Sequence, residues 1–295
     1  MSSLKSDGTW PGINYQDVSN TGFQHGQHLS NLQAMSLAFV IEGNPFYLDE
    51  NLETAINKAL NYWLANDFIC ENWWWNQIGT PRYLVEVMLL LGKENLTEEQ
   101  VEKLLPIVGR AHLDASGARP SGDRIKIAGI LAKKLLFLED LQQFEDVIEV
   151  IENEIKFATG RGMQYDFSFH HRVDRVNNTL SYGMGYADAF AEWAAYVAGT
   201  SYAFSEEKIN HLVDYYLDGI AKMMVFGKYP DLAAKNRSIS RLSALKAVSA
   251  HVPEKLLNTT NYRRQEMEQV IANRNDQEPT HTSFNKFFWH SEYHS

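Results

Sequence analysis

Apolar residues recur along most of this chain at spacings of three and four, the pattern of a helix with one buried face. No segment keeps the alternating pattern of a β-strand for more than a few residues. A capping box at Thr97 and Gln100, and the glycines Gly43, Gly92 and Gly199, mark expected helix ends. The pattern predicts about ten helices, at roughly residues 29–42, 50–65, 80–92, 97–110, 123–138, 141–158, 180–199, 205–225, 238–250 and 254–274.

Short loops join neighbouring predicted helices, which is typical of stacked helical hairpins that form a solenoid or close into a toroid. Four connectors are longer and rich in polar and aromatic residues. Because alternate connectors of stacked hairpins lie at the same end of the stack, these four are expected to build a site on a rigid scaffold. They span residues 66–79, 111–122, 159–179 and 226–237.

The composition argues against several classes of protein. The 295 residues, of which 44% are hydrophobic, suffice for one large domain or two. The formal net charge of −10 argues against general nucleic-acid binding. No apolar run reaches the roughly 18 residues of a membrane-spanning helix, and the first residues lack the apolar run of a signal peptide. Cys70 is the only cysteine, so no disulfide can form within the chain.

The densest polar stretch runs from Asp166 to Tyr186. Its polar side chains are costly to bury without partners, so a site is expected where the stretch enters the following apolar helix. The residues that carry this expectation are His170, His171, Arg172, Arg175, Asn177, Asn178, Tyr182 and Tyr186.

The histidines of this stretch leave two interpretations open. Either could be a site residue or a buried structural residue. A metal is not expected, because no cysteine or carboxylate stands at ligand spacing beside His170 and His171. His281, His290 and His294 match no ligand motif either, so we predict no metal site.

Three consecutive tryptophans, Trp73, Trp74 and Trp75, follow Asn72. They cannot all face one core from a single helix or strand, so at least one is expected to be exposed or to line a cleft. Aromatic faces are good platforms for the apolar faces of sugar rings. The alternative is ordinary core packing with one tryptophan at the surface.

Two clusters of arginines also leave alternatives open. Arg237 and Arg241 lie on one face if a helix begins near Ser238, and together they could grip a carboxylate or a sulfate. Otherwise they are scattered charge at a helix start. In the turn SGARPSGDRIK, either Arg119 or Arg124 projects into the cleft, or the turn simply begins a helix.

Four segments together resemble one family. NWWWNQIGTPRYL resembles the NWW-x-x-(E/Q)-I-G-x-P segment of polysaccharide lyase family 8, which includes chondroitin, hyaluronate and xanthan lyases. DGTWPGINY, DFSFHH followed by SYG, and NRSISR resemble three further segments of that family, and all four stand in the right order. The resemblance covers the family's N-terminal helical domain. It implies an all-α fold, an incomplete α/α toroid of about five helical hairpins.

The resemblance also implies roles for individual residues. It places the family's catalytic tyrosine on Tyr182 and its histidine on His171, or on His170 if the gap is placed differently. Together with the clusters above, the candidate catalytic residues are His171, Tyr182, Arg237 and Arg241, and the candidate substrate-binding residues are Asn72, Trp73, Trp74, Arg119, His170, Arg172, Arg175 and Asn177.

The sequence departs from the family at one loop. The family's asparagine, in a T-G-A-N-x-x-D loop, has no match, and the corresponding loop here is SGARPSGD, with Arg119 nearest. A glutamate of the family belongs to its β-sandwich half. We expect residues 1–275 to form the toroid and residues 276–295 to lead into a C-terminal β-sandwich domain, a partner that is missing from this chain.

The resemblance implies a lyase that cleaves uronic-acid polysaccharides of the chondroitin or hyaluronan kind by β-elimination, in a secreted or periplasmic location. Histidine and arginine would neutralise the uronate carboxylate, and tyrosine would act as base and then as acid, with no metal or organic cofactor. One alternative is a glycoside hydrolase of the same fold, which needs two opposed carboxylates; Asp166 and Asp174 are the only loop acids nearby. The other alternative is a helical fragment that binds glycans without catalysis.

Overall fold

The computed structural model of the protein describes residues 3–120, 122–172 and 176–277, and the backbone of residues 283–285 and 292–294. The described residues are mostly helical, which confirms the all-α prediction. The α-helices in this part of the chain are α1 (His25–Val40), α2 (Glu50–Asn66), α3 (Thr80–Leu91), α4 (Glu98–Val108), α5 (Gly122–Leu138), α6 (Leu141–Asn153), α7 (Met184–Val197), α8 (Glu206–Asp214), α9 (His251–Leu257) and α10 (Arg264–Arg274).

Short strands form three antiparallel pairs, each too small to change the fold class. The pairs are β1 (Gly162–Met163) with β2 (Phe169–His170), β3 (Met224–Val225) with β4 (Tyr229–Pro230), and β5 (Ser283–Asn285) with β6 (Glu292–His294). The first two pairs lie within predicted long connectors or directly beside them, and they order the backbone there.

The predicted helix over residues 238–250 is wrong. A short 3₁₀ helix, Asn236–Ser240, is followed by turns and bends. The larger apolar side chains of this segment lie in solvent: Ile239 is 56% exposed, Leu242 106% and Leu245 68%. A short helix needs a partner surface for its apolar face, and this segment has none within the described residues.

Other helices differ from the prediction mainly at their ends. The predicted helix 254–274 is two helices, α9 and α10, separated by a turn in which Arg263 has a left-handed backbone with φ of 48°. The predicted helix 205–225 leaves α-helical geometry after Asp214 and continues as a π-helix, Tyr215–Ile220. None of the helices in the described ranges is both long and apolar enough to cross a membrane.

The chain divides into two compact units, which are described separately. The first comprises the residues up to Ala118 together with Lys126–Val147, and the second comprises Arg119–Ile125 together with the residues from Ile148 onward. In the first unit, α1 packs on α2 and α3, and α4 packs on the same two helices. The predicted capping box begins α4: Thr97 Oγ1 accepts from the backbone N–H of Gln100 at 3.2 Å, and Gln100 Oε1 accepts from that of Thr97 at 2.9 Å.

His28 lies in the core of the first unit, where it is fully buried. Its Nε2 lies 3.0 Å from the carbonyl oxygen of Ala59, and its Nδ1 lies 3.0 Å from the hydroxyl of Tyr15. A neutral imidazole with its proton on Nε2 donates to the carbonyl and accepts from the hydroxyl. Burial lowers the pKa of His28 to about 4.

Acid is expected to destabilise the protein through His28. The unfolded chain has a histidine pKa near 6.5, so between about pH 6.5 and 4 the unfolded state binds a proton that the folded state does not. Stability is therefore complete above this window and falls by about 3 kcal/mol as the pH falls through it. Urea unfolding at neutral and acid pH checks this, with His28→Gln compared with a variant at the exposed His112. An acid loss as large in His28→Gln as in the wild type would contradict the assignment.

The second unit is built around α7, which packs on α8 and α9, while α10 packs on α9. Aromatic residues fill its core: Tyr186, Phe190, Tyr215 and Tyr216 are at most 1% exposed. The hydroxyl of Tyr186 donates to the carbonyl oxygen of Glu154 at 2.8 Å. Tyr186, a conspicuous member of the polar stretch, is therefore a core residue.

Candidate active site

The β1–β2 hairpin of the second unit separates the two adjacent histidines. One carboxylate oxygen of Asp166 accepts from the backbone N–H of Ser168 at 2.9 Å and from its hydroxyl at 2.7 Å, which fixes the turn. Successive side chains along an extended chain point to opposite sides. His170 is fully buried beside the hydroxyl of Ser168, at 3.5 Å, whereas His171 is half-buried. His170 is thus a structural residue of the hairpin, and His171 is the histidine available to a ligand.

Tyr182 lies in a π-helical turn, Thr179–Gly183, directly before α7. The side-chain oxygen of Asn177 accepts from the backbone N–H of Thr179 at 3.0 Å and from its hydroxyl at 2.7 Å, which holds the start of the turn. The backbone of Leu180 departs from helical geometry, with φ of −91° and ψ of 16°. Such turns interrupt helices frequently at functional sites, where they re-aim a side chain.

Asn177, a predicted substrate-binding residue, is only 4% exposed, and its amide oxygen accepts hydrogen bonds within this turn. Its amide nitrogen lies 3.7 Å from the sulfur of Met223. These contacts fix the start of the turn that carries Tyr182.

The rings of His171 and Tyr182 are stacked. Their centroids lie 3.6 Å apart and their planes are inclined by 1°. The guanidinium of Arg237 lies 5.4 Å from the centroid of the Tyr182 ring. The structure therefore brings together three of the four predicted catalytic residues, although they are up to 66 positions apart in the sequence, from His171 to Arg237.

His171 is neutral near pH 7. Burial lowers its pKa to about 4; the carboxylate of Asp123 opposes this effect, and the positive charges of Arg161, Arg172 and Arg237 add to it. The imidazole thus offers an N–H or a lone pair to a ligand, while the positive charge of the site comes from arginines. Arg161 is not among the predicted residues. The sequence signals it only by its position in the polar connector 159–179.

Three of the remaining predicted arginines are exposed, as is Arg237 itself. Arg172 and Arg241 are exposed, and Arg241 follows the 3₁₀ helix in an extended conformation. The premise that Arg237 and Arg241 share one face of a helix is therefore wrong. Arg119 is exposed in the loop before α5 and belongs to the second unit, as His171 and Tyr182 do. Arg175 and Asp174 lie outside the described residues.

Gly183 closes the π-helical turn at a place with no room for a side chain. A Cβ atom there would meet the hydroxyl of Tyr215 and would lie 2.8 Å from Cβ of Phe169. The turn that presents Tyr182 is thus pressed directly against the aromatic core.

Gly183→Ala is expected to lower the free energy of unfolding by about 1–3 kcal/mol, because the core must shift to admit the methyl group. Gly185, two residues later in α7, is a matched control, because a Cβ there has no atom within 4 Å. Gly185→Ala is expected to raise the same free energy by about 0.5–1 kcal/mol. Urea unfolding of both variants checks the pair, and equal effects at the two glycines would contradict this description of the turn.

The three tryptophans belong to the first unit and are all partly exposed. Asn72 Oδ1 accepts from the backbone N–H of Trp74 at 3.1 Å, so Asn72 orders the start of this segment. The ring of Trp75 fills the space left by Gly26, and Trp74 meets Trp75 edge to face, with centroids 5.1 Å apart. Trp73 packs against Gly117. Each indole therefore has one side fixed by the protein and part of its surface open.

Gln77 connects the tryptophan segment with the loop before α5. Its side-chain oxygen accepts from the backbone N–H of Gly117 at 2.8 Å, and its amide donates to Ser116 Oγ at 3.1 Å. Sequence reasoning noted Gln77 only as part of a motif. The structure shows that it holds Ser116 and Gly117 beside Trp73 within the first unit.

The described residues contain no group of three or more histidine, cysteine, aspartate or glutamate side chains placed to hold a metal ion. Asp166, one of the two acids named for the hydrolase alternative, is 5% exposed and accepts two hydrogen bonds from Ser168, so it does not support that alternative. A glycoside hydrolase needs two opposed carboxyl groups in its cleft, and one of them must reach the glycosidic oxygen.

Comparisons with known proteins agree with the resemblance seen in the sequence. A family model described as polysaccharide lyase family 8, N-terminal alpha-helical domain, matches residues 1–274. Chondroitinase-AC of Pedobacter heparinus is 28% identical over 244 residues, which are 82% of this chain and 34% of that protein. Hyaluronate lyase of Staphylococcus aureus is 23% identical over 230 residues, which are 72% of this chain and 27% of that protein.

A solved structure shares the fold. A chondroitinase AC lyase, studied as enzyme–oligosaccharide complexes, matches with a TM-score of 0.84 and 27% identity, over 94% of this chain and 41% of that chain. The match confirms the predicted fold class, the incomplete α/α toroid. The chain spans about a third of the length of the Pedobacter relative, 34%.

Proposed function

Because the chain belongs to polysaccharide lyase family 8, we propose that it cleaves uronic-acid-containing glycosaminoglycans of the chondroitin sulfate or hyaluronan kind by β-elimination. The observation that carries the proposal is the stack of His171 on Tyr182 beside the guanidinium of Arg237. It joins a proton-transfer group, a neutral hydrogen-bonding group and a positive charge in one place.

Neutralising the uronate carboxylate is the first task of such a site. The C5 proton lies next to the carboxylate and becomes acidic enough to remove only when the negative charge is offset in the enolate-like transition state. In our proposal the N–H of His171 donates to a carboxylate oxygen. Arg237, with Arg161 and Arg172 around the same histidine, supplies the positive charge. Arg241 and Arg119 bind carboxylates or sulfates of neighbouring sugars.

Proton transfer is assigned to Tyr182. In the proposed step the phenolate oxygen of Tyr182 takes the C5 proton, with the guanidinium of Arg237 5.4 Å from the centroid of the same ring. The same hydroxyl then returns a proton to the leaving glycosidic oxygen, which completes the elimination without water being added. Neither a metal nor an organic cofactor enters this sequence of steps.

The open surfaces of Trp73 and Trp74 are proposed to bind sugar rings. Trp73→Ala is expected to raise the KM for the glycan by about 3- to 10-fold, with little change in kcat, because a stacking contact binds ground state and transition state alike. Asn31→Ala is the control, since Asn31 lines a cavity of the first unit together with Trp10 and Phe46, to which Trp73 and Trp74 do not contribute. A Trp73→Ala variant that loses kcat but keeps KM would contradict the platform role.

A panel of glycans tests the proposed substrate class. The protein is mixed with chondroitin sulfate, hyaluronan and a neutral polysaccharide, and the ultraviolet absorbance of an unsaturated uronate is followed. We expect the absorbance to rise with the two acidic glycans alone. Binding to the acidic glycans without any rise would contradict the lyase proposal and favour a glycan-binding module.

The location and the partner of the protein complete the proposal. The proposed glycosaminoglycan substrates are polymers that lie outside the cell, so we propose a secreted or periplasmic enzyme. We further propose that a β-sandwich domain of the family kind is the structural partner of this helical domain.

A further inference from the structure

Arg274, a buried cation of the second unit, takes no part in the steps proposed above. It lies in the last turn of α10 and is 5% exposed. Its guanidinium donates to the backbone carbonyl oxygens of Gly227 at 2.5 Å, Val248 at 3.2 Å and Ser249 at 3.4 Å. A buried guanidinium is costly unless such bonds compensate it, so these contacts fix the backbone they reach.

Two residues, one on either side of Arg274, contact the same segment, residues 226–228. In the amide orientation that satisfies both of its polar atoms, Asn273 donates to the carbonyl oxygens of Gly227 at 3.2 Å and Phe226 at 3.3 Å. Asp276 forms an ion pair with Lys228. We call Asn273, Arg274 and Asp276 the clasp.

The clasp holds the two ends of one loop. The backbone N–H of Val248 donates to the carbonyl oxygen of Lys228 at 3.0 Å, which closes the chain between them. We call residues 228–248 the arginine loop, because Arg237 and Arg241 lie within it. Arg274 bonds to residues just before and at the end of this loop, so it ties both ends to α10.

Little apolar burial stabilises the arginine loop itself. Its buried residues are Pro230, Ala234 and Ala244, and its larger apolar side chains are exposed. Its internal hydrogen bonds are mostly short-range turns of the backbone; a longer-range one joins Lys235 Nζ to the carbonyl oxygen of Ala244 at 2.9 Å. A loop with so little buried apolar surface depends on its anchoring hydrogen bonds for a single conformation.

The loop in turn carries a residue of the proposed reaction. Residues 232–234 contact the π-helical turn 179–183, and Arg237 lies 5.4 Å from the ring of Tyr182. We propose that Arg274 is a positioning residue: it fixes the ends of the arginine loop and thereby holds Arg237 beside Tyr182. The catalytic consequence rests on the proposed function, whereas the ordering of the loop does not.

Limited trypsin digestion tests the ordering of the loop without any assay of activity. Besides Lys228 at its start, the loop offers Lys235, Arg237, Arg241 and Lys246 as cleavage sites. Arg274→Gln is expected to raise the rate of cleavage at these sites by about 10-fold, because the loop opens more often, and to leave cleavage in the first unit unchanged. Arg264→Gln is the matched control, since Arg264 is exposed at the other end of α10 and pairs with Glu268.

Arg274→Lys is the second variant. It keeps the positive charge with fewer directed N–H groups, so its cleavage rate is expected to lie between those of the wild type and Arg274→Gln. If Arg274→Gln does not fold, Arg274→Lys alone decides. A loop cleavage rate equal to that of the wild type in the folded variants would overturn the inference.

A double-mutant cycle tests the link to Arg237. In the wild-type background, Arg274→Gln is expected to lower kcat about 10-fold with a smaller change in KM. In an Arg237→Ala background, the same change is expected to lower kcat by less than about 2-fold, because the residue being positioned is gone. Equal losses in both backgrounds would overturn the positioning role. If the wild type has no lyase activity, the proposed function fails, and the digestion experiment still decides whether Arg274 orders the loop.

Discussion

Replacing Tyr182 by phenylalanine is expected to lower the kcat of glycan elimination by about 10²- to 10⁴-fold while the protein keeps its fold. The substitution removes one oxygen atom and keeps the ring whose centroid lies 3.6 Å from that of His171. Without the hydroxyl, nothing at this position takes the C5 proton or returns one to the leaving oxygen. KM is expected to change little, because the lost interaction belongs to the transition state.

Tyr186→Phe is the matched control for this prediction. Its hydroxyl donates to the carbonyl oxygen of Glu154 at 2.8 Å within the core. Its removal is expected to cost about 1 kcal/mol of unfolding free energy and to leave kcat almost unchanged. Steady-state kinetics and urea unfolding of the two variants separate the roles. A Tyr182→Phe enzyme with the kcat of the wild type would exclude Tyr182 as the proton-transfer residue.

His171→Ala is expected to lower kcat by about 10²- to 10³-fold, the usual effect of removing one hydrogen-bond donor from a developing negative charge. The variant loses the N–H proposed to bind the uronate carboxylate and also the ring that orients Tyr182. Since the pKa of His171 lies near 4, its protonation should not change kcat between about pH 5.5 and 8.

Two further substitutions sharpen the test of His171. His171→Gln keeps a neutral N–H donor and is expected to retain more activity than His171→Ala. His170→Ala is expected to lower the free energy of unfolding rather than kcat alone, because His170 is fully buried. Kinetics with a uniform chondroitin substrate check the two variants of His171, and urea unfolding together with the same kinetics checks His170→Ala. If glutamine at position 171 is no better than alanine, the donor role is wrong.

The helical periodicity of the sequence predicts this fold well wherever the apolar face is buried. The predicted helix 50–65 corresponds to α2, Glu50–Asn66, and the capping box of Thr97 and Gln100 is present. The same periodicity fails over 238–250, where the larger apolar side chains, Ile239, Leu242 and Leu245, lie in solvent within the described part of the chain. Periodicity reports the possibility of an apolar face, whereas tertiary packing decides whether a helix forms.

The site shows a similar division between local and long-range information. The motif around SYG locates Tyr182, and the alternation of an extended chain selects His171 over His170 once the hairpin is known. Arg161 escapes a reading of the sequence, because only the folded hairpin brings its charge near His171. Arg274 is hidden for a different reason: its partners are backbone carbonyls, which leave no mark in the sequence.

The most direct test of the central claim is the mass of the products released from hyaluronan or chondroitin in water enriched in oxygen-18. Elimination breaks the glycosidic bond without adding water. We therefore expect an unsaturated product that is lighter by one water molecule than the corresponding hydrolysis product and that gains no heavy oxygen during cleavage. This product should disappear with Tyr182→Phe. Saturated products that contain heavy oxygen would show hydrolysis and would contradict the assignment of Tyr182, His171 and Arg237 to β-elimination.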